Sequence, residues 1–122
     1  MGFARLVEWL GAAVMSLNRF AKKQDRNAQA IINCLRMMGC SVEVIGGSEG
    51  CPDLLAGAFG IDQLIEVKPL VADKSKRELR ASQVDWHARW RGRKPVVVRT
   101  LDDCEALVAT LRGLMTRSEV AP

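Results

Sequence analysis

Histidine is almost missing from this chain, with His87 its single representative. The four cysteines, Cys34, Cys40, Cys51 and Cys104, show neither a C-x-x-C pair nor Cys/His spacing, which argues against a zinc site. A chain of 122 residues can build a modest core without disulfides. The thiols are therefore expected to be reduced, small buried hydrophobes in a cytoplasmic protein. Long apolar runs are lacking too. Leu10 to Val14 is the nearest approach, but Glu8 and Arg19 interrupt the segment around it. It is too short to cross a bilayer, and no A-x-A-like site follows, so neither a membrane span nor a signal peptide is expected. With no repeat, low-complexity segment or long linker, the sequence reads as one domain.

What the chain does contain is organised by charge and by period. Its net charge is +4 and its pI about 9.1, a weak preference for an anionic partner. Placement says more: residues 74–94 hold Lys74, Lys76, Arg77, Arg80, Arg89, Arg91, Arg93 and Lys94 against Glu78 and Asp85. That excess suits a phosphate backbone, although Lys and Arg are also ordinary solvated surface residues. Phe3, Leu6, Leu10, Val14 and Leu17 recur at helical spacing. Residues 1–20 are thus expected to form an amphipathic helix packed on the domain or on a partner chain. Met15 is an alternative start that would make residues 1–14 an appendage. The domain proper is expected over 21–116, with a tail at 117–122.

Within that domain, residues 25–38 predict a helix with an Ala28, Ile31, Ile32, Leu35 and Met38 stripe, stopped at Gly39. Ser41 to Ile45 alternates as a strand. Leu54 to Phe59 and Gln63 to Lys68 predict an antiparallel hairpin joined around Gly60-Ile61-Asp62, and Pro69 ends its second strand. Ser82-x-x-Asp85 resembles a helix-opening capping box, with the helix running to about Arg91. Val96-Val97-Val98 reads as a fully buried strand. Asp102-x-x-Glu105 opens a last helix striped by Cys104, Leu107, Val108, Leu111 and Leu114. The order α-β-β-β-α-β-α implies an α/β fold, a mixed four-stranded sheet flanked by helices, with the hairpin at its centre.

The chemistry concentrates in that hairpin. Asp53 follows Pro52 at the head of one apolar run, and Glu66 and Lys68 lie in the other. If the runs pair, Asp53 and Glu66 face each other across them. Alternation sends Glu66 and Lys68 to one side and Ile65 and Val67 to the core. Two carboxylates and an ammonium on one side can hold a hard divalent cation and activate water. Asp53 alone would be an ordinary turn residue, and a Glu/Lys pair on a strand is usually solvated. In a central strand, however, unpaired charge is costly and therefore informative.

The segments Gly50-Cys51-Pro52-Asp53-Leu54-Leu55-Ala56-Gly57, Glu66-Val67-Lys68, Ser82-Gln83-Val84-Asp85-Trp86-His87 and Val98-Arg99 resemble the PD-(D/E)XK nuclease superfamily. They are most similar to its small virus-type replication-repair nucleases and phage-encoded relatives. The likeness covers roughly residues 24–112. It implies a restriction-endonuclease-like α-β-β-β-α-β core, with Mg²⁺ or Mn²⁺ bound by Asp53, Glu66 and the Val67 carbonyl. Lys68 would orient water and offset charge on the phosphate, and Gln83 would reach the site from the following helix. The family often adds an acid on the first helix. Here Gln29 and Ala30 stand in that region, and Asp25 is the nearest upstream carboxylate.

The leading expectation is a Mg²⁺- or Mn²⁺-dependent endonuclease that hydrolyses DNA and selects branched or nicked structures. It would act as a homodimer in the cytoplasm of a bacterial or phage-infected cell, with Lys74, Lys76, Arg77 and Arg80 on the nucleic acid. A catalytically weak nuclease fold that binds nucleic acid or a protein partner is the alternative, as a phage accessory or inhibitor. An RNA nuclease using the same site is the third. His87 reads as a surface or packing residue rather than a general base. Trp86 and Trp90, four apart on one helix, read as core packing rather than base stacking.

Overall fold

A computed structural model describes residues 26–71 and 78–120. The expected N-terminal helix at residues 1–20, together with Asp25, Lys74, Lys76 and Arg77, lies outside the described residues. The elements are α1 (Arg26–Met37), β1 (Ser41–Val44), β2 (Leu54–Ala58), β3 (Ile61–Val67), α2 (Ala81–Arg89), β4 (Val96–Val98) and α3 (Leu101–Val120). The four strands form one sheet in the order β1-β2-β3-β4. The first three run antiparallel, and β4 returns parallel to β3 through α2. The fold is therefore mixed α/β, with a four-stranded mixed sheet and the hairpin strands at its centre.

One face of the sheet carries the core. Ile31, Ile32 and Leu35 of α1 and Cys104, Leu107, Val108 and Leu111 of α3 pack on Val42, Leu54, Ala56, Ile65 and Val98. Each fully buried Leu or Ile contributes on the order of 2 kcal/mol by leaving water. α1 stops where expected. Gly39 takes a positive φ of 94°, Cys40 N–H donates to Leu35 O at 3.0 Å and Gly39 N–H to Arg36 O at 3.0 Å. That pair of bonds is a Schellman motif, which a left-handed glycine makes inexpensive. The opposite face of the sheet meets α2, through contacts described with the site. Among the described residues no helix is long and apolar enough to cross a membrane.

Several boundaries differ from the sequence reading, each for a local reason. The hairpin turn is Phe59-Gly60, both with positive φ (57° and 75°), as a two-residue type I′ turn requires. Ile61 and Asp62 therefore belong to β3. A left-handed Phe is uncommon, and here its ring lies under the Arg112 guanidinium, 5.5 Å from the ring centroid. α3 is opened by Thr100 and not by Asp102. Thr100 Oγ1 accepts from Asp103 N–H at 3.1 Å, and Asp103 Oδ2 accepts from Thr100 N–H at 3.1 Å and Arg99 N–H at 2.8 Å. This is the reciprocal capping box shifted two residues upstream, and those bonds hold the Asp103 carboxyl below its usual range. α3 also continues through residues 117–120, which the sequence reading set apart as a tail. β4 is less covered than expected, since it ends the sheet and only Val98 of its three valines is buried.

Candidate active site

Asp53 is delivered by a loop and fixed by a strand. Residues 46–51 reverse the chain between β1 and β2, with Gly46 and Gly50 at positive φ (27° and 81°). Ile45 N–H donates to Asp53 O at 2.9 Å and Gly46 N–H to Pro52 O at 3.2 Å, closing the loop's base. The Asp53 Oδ2 atom then accepts the Val67 N–H at 2.9 Å. Leu54 pairs with Ile65, so Asp53 stands beside Glu66 across the hairpin, as the spacing predicted.

The alternation of β3 also holds. Ile65 is wholly buried in the core and Val67 packs against it, whereas Glu66 and Lys68 point to the other face. Neither charge is left in bulk water: Glu66 is 1% exposed and Lys68 8%. Lys68 N–H donates to Val98 O on the β4 side, and Val67 N–H donates to Asp53 on the β2 side. In extended backbone a residue's N–H and C=O point the same way, so the Val67 carbonyl lies on the Asp53 side.

α2 completes the site through Gln83, which is 4% exposed. Its Nε2 donates to Glu66 Oε1 at 2.5 Å, and its Oε1 accepts the Arg80 N–H at 2.8 Å. The helix is thus opened at Arg80, with Gln83 and not Asp85 as its capping partner. Asp85 instead pairs with Arg89 one turn on, at 2.9 Å. Gly50 sets the closeness of this packing. A Cβ there would lie 2.3 Å from Ser82 O and 3.2 Å from Trp86 Cβ, so only glycine lets the loop touch the first turn of α2.

Electrostatics mark the pair of acids. Burial raises the Asp53 carboxyl, opposed by the Val67 N–H, a hydrogen bond with Glu66 and the charges of Lys68 and Arg80. Burial, then the negative charge of Asp53, pushes Glu66 up to about 8, with Lys68 and Arg80 acting the other way. Glu66 Oε2 is buried and has no hydrogen-bond donor. With both acids ionised their buried charges repel, and either a proton shared between them or a cation removes the conflict. The donor set is two carboxylates and a carbonyl on one side, all oxygen, which is chemistry suited to Mg²⁺ or Mn²⁺. Among the described residues no group of three or more His, Cys, Asp or Glu side chains could hold a metal, so water would supply the remaining ligands.

Other expectations divide. Arg80 is exposed at the start of α2, within electrostatic reach of both acids. Part of the basic stretch is used internally. Arg93 Nε donates to the buried Gln63 side chain, and Lys94 Nζ donates to the carbonyls of His87, Ala88 and Trp90, capping the end of α2. Gln29 donates to Asn33 at 3.0 Å and Ala30 is exposed, so neither brings an acid to the site. His87 lies half-buried with its ring edge to Trp86, 6.3 Å between centroids, and burial pushes its pKa down. Trp86 and Trp90 stack on each other outside the core, which corrects the expectation of core packing. Sequence reasoning missed Asn27. Its Nδ2 donates to Arg99 O at 2.9 Å and Lys68 O at 3.4 Å, tying α1 to the ends of β3 and β4. The only signal was a lone amide at a helix start.

Compared with models of known protein families, with curated proteins and with solved structures, the chain matches none.

Proposed function

We propose that the chain is a divalent-metal-dependent nuclease that hydrolyses DNA phosphodiester bonds on a restriction-endonuclease-like core, α1-β1-β2-β3-α2-β4. One observation carries the reading. Asp53 and Glu66 are held side by side beside Lys68, and Glu66 Oε2 is buried without a donor, on a sheet of the expected order. Two buried acids set side by side conflict when both are ionised, and a divalent cation held between them is one way to remove that conflict.

Asp53, Glu66 and the Val67 carbonyl would hold Mg²⁺ or Mn²⁺, which when bound acidifies water and neutralises charge on the scissile phosphate. Gln83 keeps Glu66 Oε1 engaged, so that Oε2 is the oxygen presented. Lys68 places an ammonium where negative charge develops on the phosphate, an interaction that gains strength away from bulk water. Arg80, Lys74, Lys76 and Arg77 would supply contacts along the backbone. Branched or nicked DNA is the preferred substrate in this reading, and a homodimer the assembly, because severing both strands takes two such sites.

The test is cleavage of supercoiled, linear and branched DNA, and of RNA, in Mg²⁺, Mn²⁺ or EDTA. Metal-dependent cutting is expected, abolished by Asp53→Ala or Glu66→Ala with the fold intact, and reduced on the order of 10²-fold by Lys68→Ala. Full activity in the Asp53 variant would reject this site. A second reading rests on α1, where Gln29 and Ala30 offer no further acid. Tight DNA or protein binding without cleavage in any metal would establish that reading, a nuclease fold kept for binding.

A further inference from the structure

We infer that the Trp86–Trp90 pair is a stacking platform for an unpaired nucleobase beside the candidate active site, an inference that rests on the nucleic-acid reading above. The two indoles are nearly parallel, with 4.9 Å between centroids and 12° between planes. They belong to no part of the hydrophobic core, whose buried members are all aliphatic or cysteine. Trp90 is 42% exposed. So Trp90, the residue just past the end of α2, presents apolar surface outward, with the half-buried Trp86 stacked against it.

Three features of the pair fit a nucleobase better than an apolar protein segment. The platform is adjacent to the chemistry: Trp86 Cβ lies against Gly50 in the loop that delivers Asp53, and Trp86 follows three residues after Gln83. Along a helix axis Trp86 and Trp90 sit about 4.5 and 10 Å beyond Gln83. That is a reach of one to three stacked nucleotides at about 3.4 Å each. The setting is also cationic. Arg91 and Arg93 follow Trp90 closely and are exposed, Arg93 also donating through Nε to Gln63, and Asp85 is paired with Arg89. A base needs an aromatic face with cations along its phosphates, and both are here. Finally, Trp90 is held in place. A Cβ at Gly92 would lie 2.7 Å from its Nε1, so the chain turns closely against the indole edge, and the Trp90 main-chain N–H donates to Trp86 O at 3.1 Å, fixing the backbone that carries the ring. A fixed ring loses little freedom when a base stacks on it.

The platform makes the substrate class a nucleic acid with a single-stranded stretch or a displaced base next to the cut. Base pairs within an intact duplex already stack on each other and offer no free face. Trp86→Ala removes a side chain packed near Gly50, so the decisive variant is the exposed one. Full-length protein in EDTA, where no cleavage occurs, is titrated with short thymidine and uridine oligonucleotides and with blunt duplex DNA. Tryptophan emission and anisotropy are recorded for the native chain, Trp90→Ala and Trp90→Phe, with circular dichroism and melting temperature as fold controls.

The native chain should bind the single strands with quenching of its emission. Trp90→Ala should bind them about 5- to 100-fold more weakly, Trp90→Phe should remain within a few-fold, and duplex affinity should be unchanged. The thymidine and uridine arms decide which sugar is accepted. Equal single-strand binding by Trp90→Ala, or equal losses on single strand and duplex, would overturn the inference and leave the pair as a helix-stabilising stack. Cleavage is scored separately with Asp53→Ala. A protein that cuts DNA but ignores Trp90 refutes only the platform, and one that binds through Trp90 but never cuts refutes only the nuclease.

Discussion

At Glu66 the two carboxylate oxygens have different fates, Oε1 engaged by Gln83 and Oε2 without a donor, and the pH behaviour of the chain follows from this. Folding raises Glu66 from 4.5 to about 8 and raises Asp53 as well. Between those values the folded chain keeps a proton that the unfolded chain has released, so its stability is greatest on the acid side and declines as pH rises towards 8. One such group gives a slope of at most about 1.4 kcal/mol per pH unit. His87, with a pKa lowered from 6.5 by burial, acts in the opposite sense below that value, which leaves pH 6.5 to 8 as the clean window. In EDTA the melting temperature should fall across this window and stay nearly flat in Glu66→Gln. Added Mg²⁺ should stabilise more at the alkaline end, where it meets ionised acids. Parallel profiles for the two proteins would remove Glu66 from this role. Asp53, Glu66 and Lys68 were legible in the sequence because strand alternation and hairpin pairing turn spacing into geometry. Asn27 was not, because its two carbonyl partners, on Lys68 and Arg99, are set by tertiary packing that no local pattern records.

Elements were legible where periodicity is long and misplaced where a single residue decides. Of the ten residues in the α1 and α3 stripes eight are buried, with Met38 and Leu114 partly so, since several turns of a helix report one face redundantly. The hairpin turn went the other way. Gly60 signals a turn, but only a left-handed Phe59 makes it two residues long, and a bulky residue gives no such warning. The start of α2 differs for a related reason: Gln83 both caps the helix and donates to Glu66, so the proposed site and helix initiation share one side chain. That sharing makes Gly50 the sensitive point of the element packing. Gly50→Ala places a methyl group against Ser82 O on a backbone at φ 81° and should cost about 2–4 kcal/mol. The first turn of α2 would move off the loop and take Gln83 from Glu66. The expected outcome is a lowered denaturation midpoint together with lost cleavage, whereas unchanged cleavage would show that Gln83 need not be held there.

At the scale of the whole molecule, the proposed function requires a small basic domain to bind a polyanion. We predict that the chain is a symmetric dimer, the commonest closed arrangement, on the sequence expectation of an amphipathic segment at residues 3–17, which lies outside the described residues. Light scattering on the full chain, and on a chain begun at Met15, should report a dimer and then a monomer. A full-length monomer would place both cuts on separate encounters. Binding should also separate into two kinds of contact. Each cation on a phosphate releases condensed counterions, so affinity should fall steeply with salt, and removing one such cation should lower the slope of log affinity against log salt by about 1. Arg80 is exposed at the mouth of the site, with its charge felt by Asp53 and Glu66. Arg80→Ala should therefore flatten the salt dependence on single strand and duplex alike. Trp90→Ala should weaken single-strand binding with the slope intact, because stacking displaces no ions. If both variants changed the slope equally, or neither did, phosphate contact and base contact would not be divided between Arg80 and α2 in this way.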